Sequence, residues 1–222
     1  MCGRFALTIP RSKIPDYLKD VDMRFWPSPG YNIAPGQDIA TILNTSPAAV
    51  TLTRWGLIPS WAKTASIGYR LINARIETLH EKPSFKDSFA GRRCLIPANG
   101  FYEWKTNPTT KTKTPYFFQL KSGDLFSFAG LWETWNSPDG EHIISSTIIT
   151  TEANETISHI HHRMPLILKP ESYASWLSSQ RTRHMDLLEH IICYDSNDFT
   201  FHEVTHEVNK PSFNNPDAIK EI

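Results

Sequence analysis

The stretch CLIPANGFYEWKTNPTTKTKTPYFFQL, residues 94–120, decides the fold class. Cys94–Pro97, Gly100–Lys105 and Tyr116–Leu120 are short apolar and aromatic runs, and residues 107–114 (NPTTKTKT) between the last two read as a polar hairpin tip. Leu125–Trp132 and His142–Thr150 continue the β pattern downstream, and Phe199–Val204 is a last strand. Upstream, Asp38–Asn44 and Val50–Trp55 flank a turn at Thr45–Pro47. The helical segments are short: Ser12–Asp20, Glu77–Glu81, Ser84–Ala90, Glu171–Leu177, and Thr182–Ile192 with Met185, Leu188 and Ile192 on one face. Leu71–Arg75 reads as a strand end. Gly and Pro break the aromatic run WGLIPSW at 55–61 into an ordered loop, whose exposed aromatics would be wedges or stacking platforms. Short strands that outnumber short helices predict an α+β fold built on antiparallel sheet, with residues 1–222 as one domain.

The chain has 222 residues and no net charge, but its charge is unevenly placed. Residues 54–113 hold eleven Lys and Arg against four Asp and Glu, whereas residues 114–222 hold seven against fifteen. The basic segment also carries Trp55, Trp61, Tyr69, Phe85, Phe89, Phe101, Tyr102 and Trp104. Cations for phosphates and aromatic faces for bases suit single-stranded nucleic acid. The same residues would equally serve as core aromatics beneath a solvated charged face. No apolar run is long enough to span a membrane, and no basic and then apolar leader is visible. A cytoplasmic protein is expected in a bacterium, at the nucleoid when on damaged DNA, and a nuclear one in a eukaryote. Three cysteines without CxxC spacing (Cys2, Cys94, Cys193) point to a reducing compartment.

Cys2 follows the initiator methionine. Removal of Met1 would leave an α-amine and a thiol on one residue, a 1,2-aminothiol whose natural partner is an aldehyde. The amine titrates near ~8 and the thiol near ~8.5, so both have usable nucleophilic fractions at neutral pH. Other polar candidates are scattered. Asn73 and Arg75 lie two apart, on one face of an extended segment. Glu103 sits among aromatics. Facing a cleft it would be an acid or base with a raised pKa, and facing outward it would be an ordinary strand residue. The run HIHHR at 159–163 lacks the further ligands of a zinc motif, so no metal is expected, and no cofactor is called for. One of its histidines would move protons, with Arg163 on a phosphate or carboxylate.

Taken together and in order, MCGRF at 1–5, YNIAPG at 31–36, WGLIPSW at 55–61, LINARIET at 71–78, CLIPANGFYEW at 94–104 and HHRMP at 161–165 resemble the SOS-response-associated peptidase (SRAP) family, also called abasic-site processing proteins. Val204 to Val208-Asn209 is similar to the family's C-terminal segment. The resemblance implies a barrel-like core of antiparallel sheets with short peripheral helices. It also implies binding of single-stranded DNA and covalent capture of abasic sites as a thiazolidine on Cys2, in the response to DNA damage. On the matching positions Cys2 is the nucleophile, Asn73 orients its amine and the sugar, Glu103 does acid and base work, and His161 assists proton transfer. Arg4, Arg75 and Arg163 would hold phosphates, and Trp61 would stack on or wedge the strand. Gly30 stands where the family often has a basic residue, and His162 where it commonly has Asp.

Two other readings remain. An N-terminal cysteine can be a peptidase nucleophile with its own amine as base, and removal of Met1 could be its own autoproteolysis. A non-covalent single-strand-binding module would need no reactive Cys2. Nothing indicates an oligomer, and a monomer is expected.

Overall fold

The computed structural model describes residues 2–178 and 184–222, and for 184–186 the backbone alone. Thirteen strands run in chain order as β1 (Arg4–Leu7), β2 (Gly30–Ile33), β3 (Asp38–Leu43), β4 (Ala49–Trp55), β5 (Asn73–Arg75), β6 (Arg93–Ala98), β7 (Gly100–Thr106), β8 (Lys113–Leu120), β9 (Phe126–Asn136), β10 (His142–Glu152), β11 (Arg163–Pro165), β12 (Ile167–Leu168) and β13 (Phe199–Glu203). The helices α1 (Lys86–Gly91), α2 (Glu155–Ser158), α3 (Tyr173–Trp176) and α4 (His184–Glu189) are short and peripheral.

Strands β4, β3, β6, β9 and β10 pair in sequence, and β10 pairs back to β4, closing a five-stranded barrel. All of these pairs are antiparallel except β10 with β4. A second sheet, in the order β13-β8-β7-β1-β2, lies against the barrel. Aromatic edges join the two: the Phe5 ring is 5.2 Å from Trp55 and 5.7 Å from Phe128, and Phe101 is 6.2 Å from Phe128. A single buried cluster draws on both sheets, as the expected barrel-like α+β core requires. No helix among the described residues is long and apolar enough to cross a membrane.

Period-2 alternation along β7 sorts its side chains. Phe101 enters the main core, whereas Tyr102 faces the other way, into a smaller cluster with Val204, Val208 and Ala218. Glu103 returns to the Phe101 side and is 2 % exposed. The inward alternative for this carboxylate is therefore the observed one.

The helix expected at Ser12–Asp20 is instead two 3-10 turns, Arg11–Lys13 and Asp16–Leu18. Pro15 has no N–H to donate and holds Ile14 extended, at ψ 129°, which splits the segment. Glu77–Glu81 likewise reduces to a 3-10 turn at Ile76–Thr78, and Ser84–Ala90 to α1. Of the helix expected over Thr182–Ile192, residues 182–183 lie outside those described, as does the Met185 side chain; Leu188 packs on the core, but Ile192 is 50 % exposed beyond the end of α4.

Gly100 opens β7 beneath the Phe117 ring, which occupies the space a Cβ would need. Gly100→Ala should lower stability by ~1–3 kcal/mol, the usual cost of overpacking. Chemical denaturation checks this, and an unchanged midpoint would contradict the packing.

Candidate active site at the amino-terminal cysteine

Cys2 enters β1 between β2 and β7, with Arg4 paired to Tyr102 and Phe5 to Phe101. The residue is fully buried. Its carbonyl accepts a 2.8 Å hydrogen bond from Asn73 Nδ2, and its Sγ lies 3.8 Å from the Arg4 carbonyl. Burial pushes the thiol well above its ordinary pKa, and the nearby Glu103 carboxylate adds to the rise. The enclosure therefore disfavours the thiolate fraction expected of an ordinary cysteine at neutral pH.

Asn73 is held by β5, which runs parallel to β10 with Asn73 opposite Ile148. The Trp55 indole N–H donates to the Ile72 carbonyl at 2.9 Å and fixes the approach to that strand. Asn73 Oδ1 is buried and has no hydrogen-bond partner among the described residues.

Burial raises the Glu103 carboxyl from its ordinary range to about 7, with the Lys113 ammonium among the groups pulling the other way. Such a group holds and releases a proton near neutral pH. His161 follows α2, whose first turn is capped by Asn154 Oδ1 accepting from Ile157 N at 3.0 Å. The imidazole Nδ1 is 3.0 Å from the Arg163 N and 3.1 Å from its carbonyl oxygen, and the ring stacks on His162 at 4.5 Å. Burial lowers its pKa, which favours the neutral ring. Glu103, Trp104, Thr106, Lys113, His161 and Asn209 line one cleft of about 580 Å³. The four residues expected to do chemistry are thus linked. Asn73 bonds the Cys2 backbone, Cys2 senses the Glu103 charge, and Glu103 and His161 share a cleft wall.

The expected phosphate contacts divide. Arg75 is exposed at the end of β5, two residues beyond Asn73. Trp61 is 58 % exposed on its loop but does not line the cleft. Arg4 and Arg163, by contrast, direct their guanidiniums at protein acceptors. Arg4 bonds Asn32 Oδ1 at 2.8 Å and the carbonyls of Val208 and Asn209. Arg163, 7 % exposed, forms a fork on Glu77 at 2.7 and 3.0 Å and donates to the Thr150 carbonyl at 2.8 Å. Both hold the walls of the site together. Sequence reasoning missed Trp104, Lys113 and Asn209. Trp104 lay in plain view beside Glu103, but Asn209 reaches the cleft from 105 residues away along the chain. A smaller cavity of about 140 Å³, between Gly36, Arg54 and Tyr69, stands apart from these groups.

With the fold and site in place, comparison with known proteins is specific. Residues 1–211 match the family described as SOS response associated peptidase (SRAP). The chain is 45 % identical over 226 residues to the abasic site processing protein YoqW of Bacillus subtilis (strain 168), covering 99 % of each. It is 30 % identical to the abasic site processing protein HMCES of Pongo abelii, covering 100 % of this chain and 76 % of that one. A crystal structure of a Bacteroides thetaiotaomicron protein superposes with a TM-score of 0.81 at 24 % identity over the full length of both chains, which speaks to the fold. The chain belongs to the SRAP family.

Glu103 leaves a stability signature. Its folded pKa, raised from 4.5 to about 7, means that the folded state keeps a proton that the unfolded chain releases between those values. The associated stability is full below about pH 4.5 and is lost as pH rises to about 7. Glu103→Gln should flatten the Tm–pH curve in that window and be the more stable protein above it. A curve parallel to wild type would contradict a buried, desolvated carboxylate.

Proposed function

We propose that this protein captures abasic sites in single-stranded DNA as a covalent thiazolidine, through the α-amine and thiol of Cys2 after removal of Met1. The names of its relatives support abasic-site processing. The observation that supports the chemistry is that Asn73 bonds the Cys2 backbone and Cys2 lies within reach of the Glu103 charge, while Glu103 lines a cleft with His161.

An abasic sugar is mostly a closed hemiacetal. Opening it requires a proton on the ring oxygen and loss of one from the anomeric hydroxyl, and a carboxyl poised at about 7 serves both directions. The amine of Cys2 then adds to the aldehyde carbon, with Asn73 Oδ1 as the acceptor that orients it. The carbinolamine loses water, assisted by Glu103 or His161, and gives the imine. Finally the Cys2 sulfur bonds the imine carbon while the thiol proton passes to nitrogen. One water leaves overall, and no redox partner is needed. Because the thiol is held protonated, the amine attacks first and the sulfur closes the ring. That order also disfavours the cysteine-peptidase alternative, which needs a nucleophilic thiolate at the outset. Arg75 and Lys113 supply exposed positive charge for phosphates, and Trp61 a stacking face, so affinity should fall steeply with salt. The protein would act wherever such DNA lies, in the bacterial cytoplasm or a eukaryotic nucleus.

The test is a denaturing gel of protein with single-stranded DNA bearing one abasic site. A heat-stable shifted band is expected from wild type, none from Cys2→Ala, and slower formation from Asn73→Ala. Failure of wild type to form any such band, together with turnover of peptides, would favour the peptidase.

A further inference from the structure

Asn209 belongs to a C-terminal turn, His206–Asn209, that is fastened to the start of the chain. Arg4 Nη2 donates to the Asn209 carbonyl at 3.1 Å, and Arg4 Nη1 to that of Val208. Asn32 Nδ2 donates to the carbonyls of Val208, Lys210 and Phe213 at 3.1, 3.1 and 3.0 Å. The backbone of Asn209 is therefore fixed by side chains from β1 and β2.

The side chain is fixed as well. Asn209 Oδ1 accepts from the Trp104 indole N–H at 2.8 Å. An indole nitrogen is only a donor, so the amide must present its oxygen to Trp104. The Nδ2 group then faces away from the indole. It makes no hydrogen bond to the protein among the described residues, and its residue is exposed where it lines the cleft with Glu103, Lys113 and His161.

The geometry points to Asn209 as a substrate-binding residue, whose Nδ2 donates to a phosphate oxygen of the strand beside the captured sugar, with Lys113 on the same wall supplying charge. The inference rests on the reading that the cleft takes abasic single-stranded DNA. It assigns the C-terminal turn to the site, with Arg4 as the positioning residue that latches it. A neutral amide on the cleft lining adds a donor without adding to the pull that the Lys113 ammonium already exerts on the Glu103 carboxyl.

The test separates binding from chemistry by using a single strand with a tetrahydrofuran abasic analogue, which has no aldehyde. Asn209→Ala removes the amide without introducing a charge that would itself repel phosphates. It should bind this probe roughly tenfold weaker than wild type and, combined with Trp104→Phe, weaker than W104F alone. An Asn209 that merely held Trp104 would add nothing once the indole is gone, so equal affinities of W104F and the double variant overturn the inference. Trp104→Phe is the second variant. It keeps the ring and frees the amide to flip, so a several-fold loss is expected and an unchanged affinity counts against the assignment. The covalent reading fails separately, by the absence of any denaturation-resistant product between wild type and a true abasic site.

Discussion

The 2.8 Å hydrogen bond from Asn73 Nδ2 to the Cys2 carbonyl ties together two parts of the molecule that have no local reason to meet. Cys2 leads into β1 of the outer sheet, and Asn73 opens β5, a short strand lying parallel to barrel strand β10. Without that bond, and without the pairing of β1 between β2 and β7, the chain end would be an ordinary terminus with freedom to fray. With them, the first residue that could bear a free amine after processing is held by Asn73 within reach of the Glu103 charge. Terminal chemistry normally suffers from disorder. In the proposed reaction the cost of ordering is met by folding, before substrate arrives.

The same alternation that places Phe101 in the core buries Glu103. Burial does two opposed things to the site. It raises the carboxyl to about 7, where it can both give and take a proton, and it raises the Cys2 thiol far enough to keep it protonated. The two groups are coupled, since a charged Glu103 further disfavours the thiolate. In the proposed reaction this balance sets an order, amine first and sulfur second. The arginines nearest the site do not compete with this balance. Arg163 is paired with Glu77 and Arg4 is latched to the C-terminal turn.

Much of this was legible in the sequence because the signals were local. The hairpin, the strands on both sides of it and the loop of WGLIPSW follow from turn residues and aromatic runs; the hairpin tip is shorter than expected, 107–112, because Lys113 and Thr114 already pair with Thr106 and Lys105. What was not legible depended on distance along the chain. The closure of the barrel rests on the parallel pair of β10 with β4, and no local pattern reports a pairing across some ninety residues. The inward face of Glu103 was an even choice until the partner strands fixed which side of β7 meets the barrel. Arg4 and Arg163 read as phosphate ligands because arginine chemistry is the same toward a carbonyl, a carboxylate or a phosphate; their contacts with Asn32, Val208 and Glu77 depend on the tertiary fold. The helix expected at Ser12–Asp20 fails for a nearer reason: Pro15 holds Ile14 extended and splits the segment.

The central claim is that amine and thiol of the same residue both bond the captured carbon. Intact mass spectrometry of the purified adduct with a short abasic oligonucleotide, denatured and treated with a thiol-alkylating reagent, tests this most directly. The account predicts the mass of the chain lacking Met1 plus the oligonucleotide less one water, with Cys2 closed to alkylation. An adduct that retains Met1, or one in which Cys2 takes up the alkylating group, would contradict it.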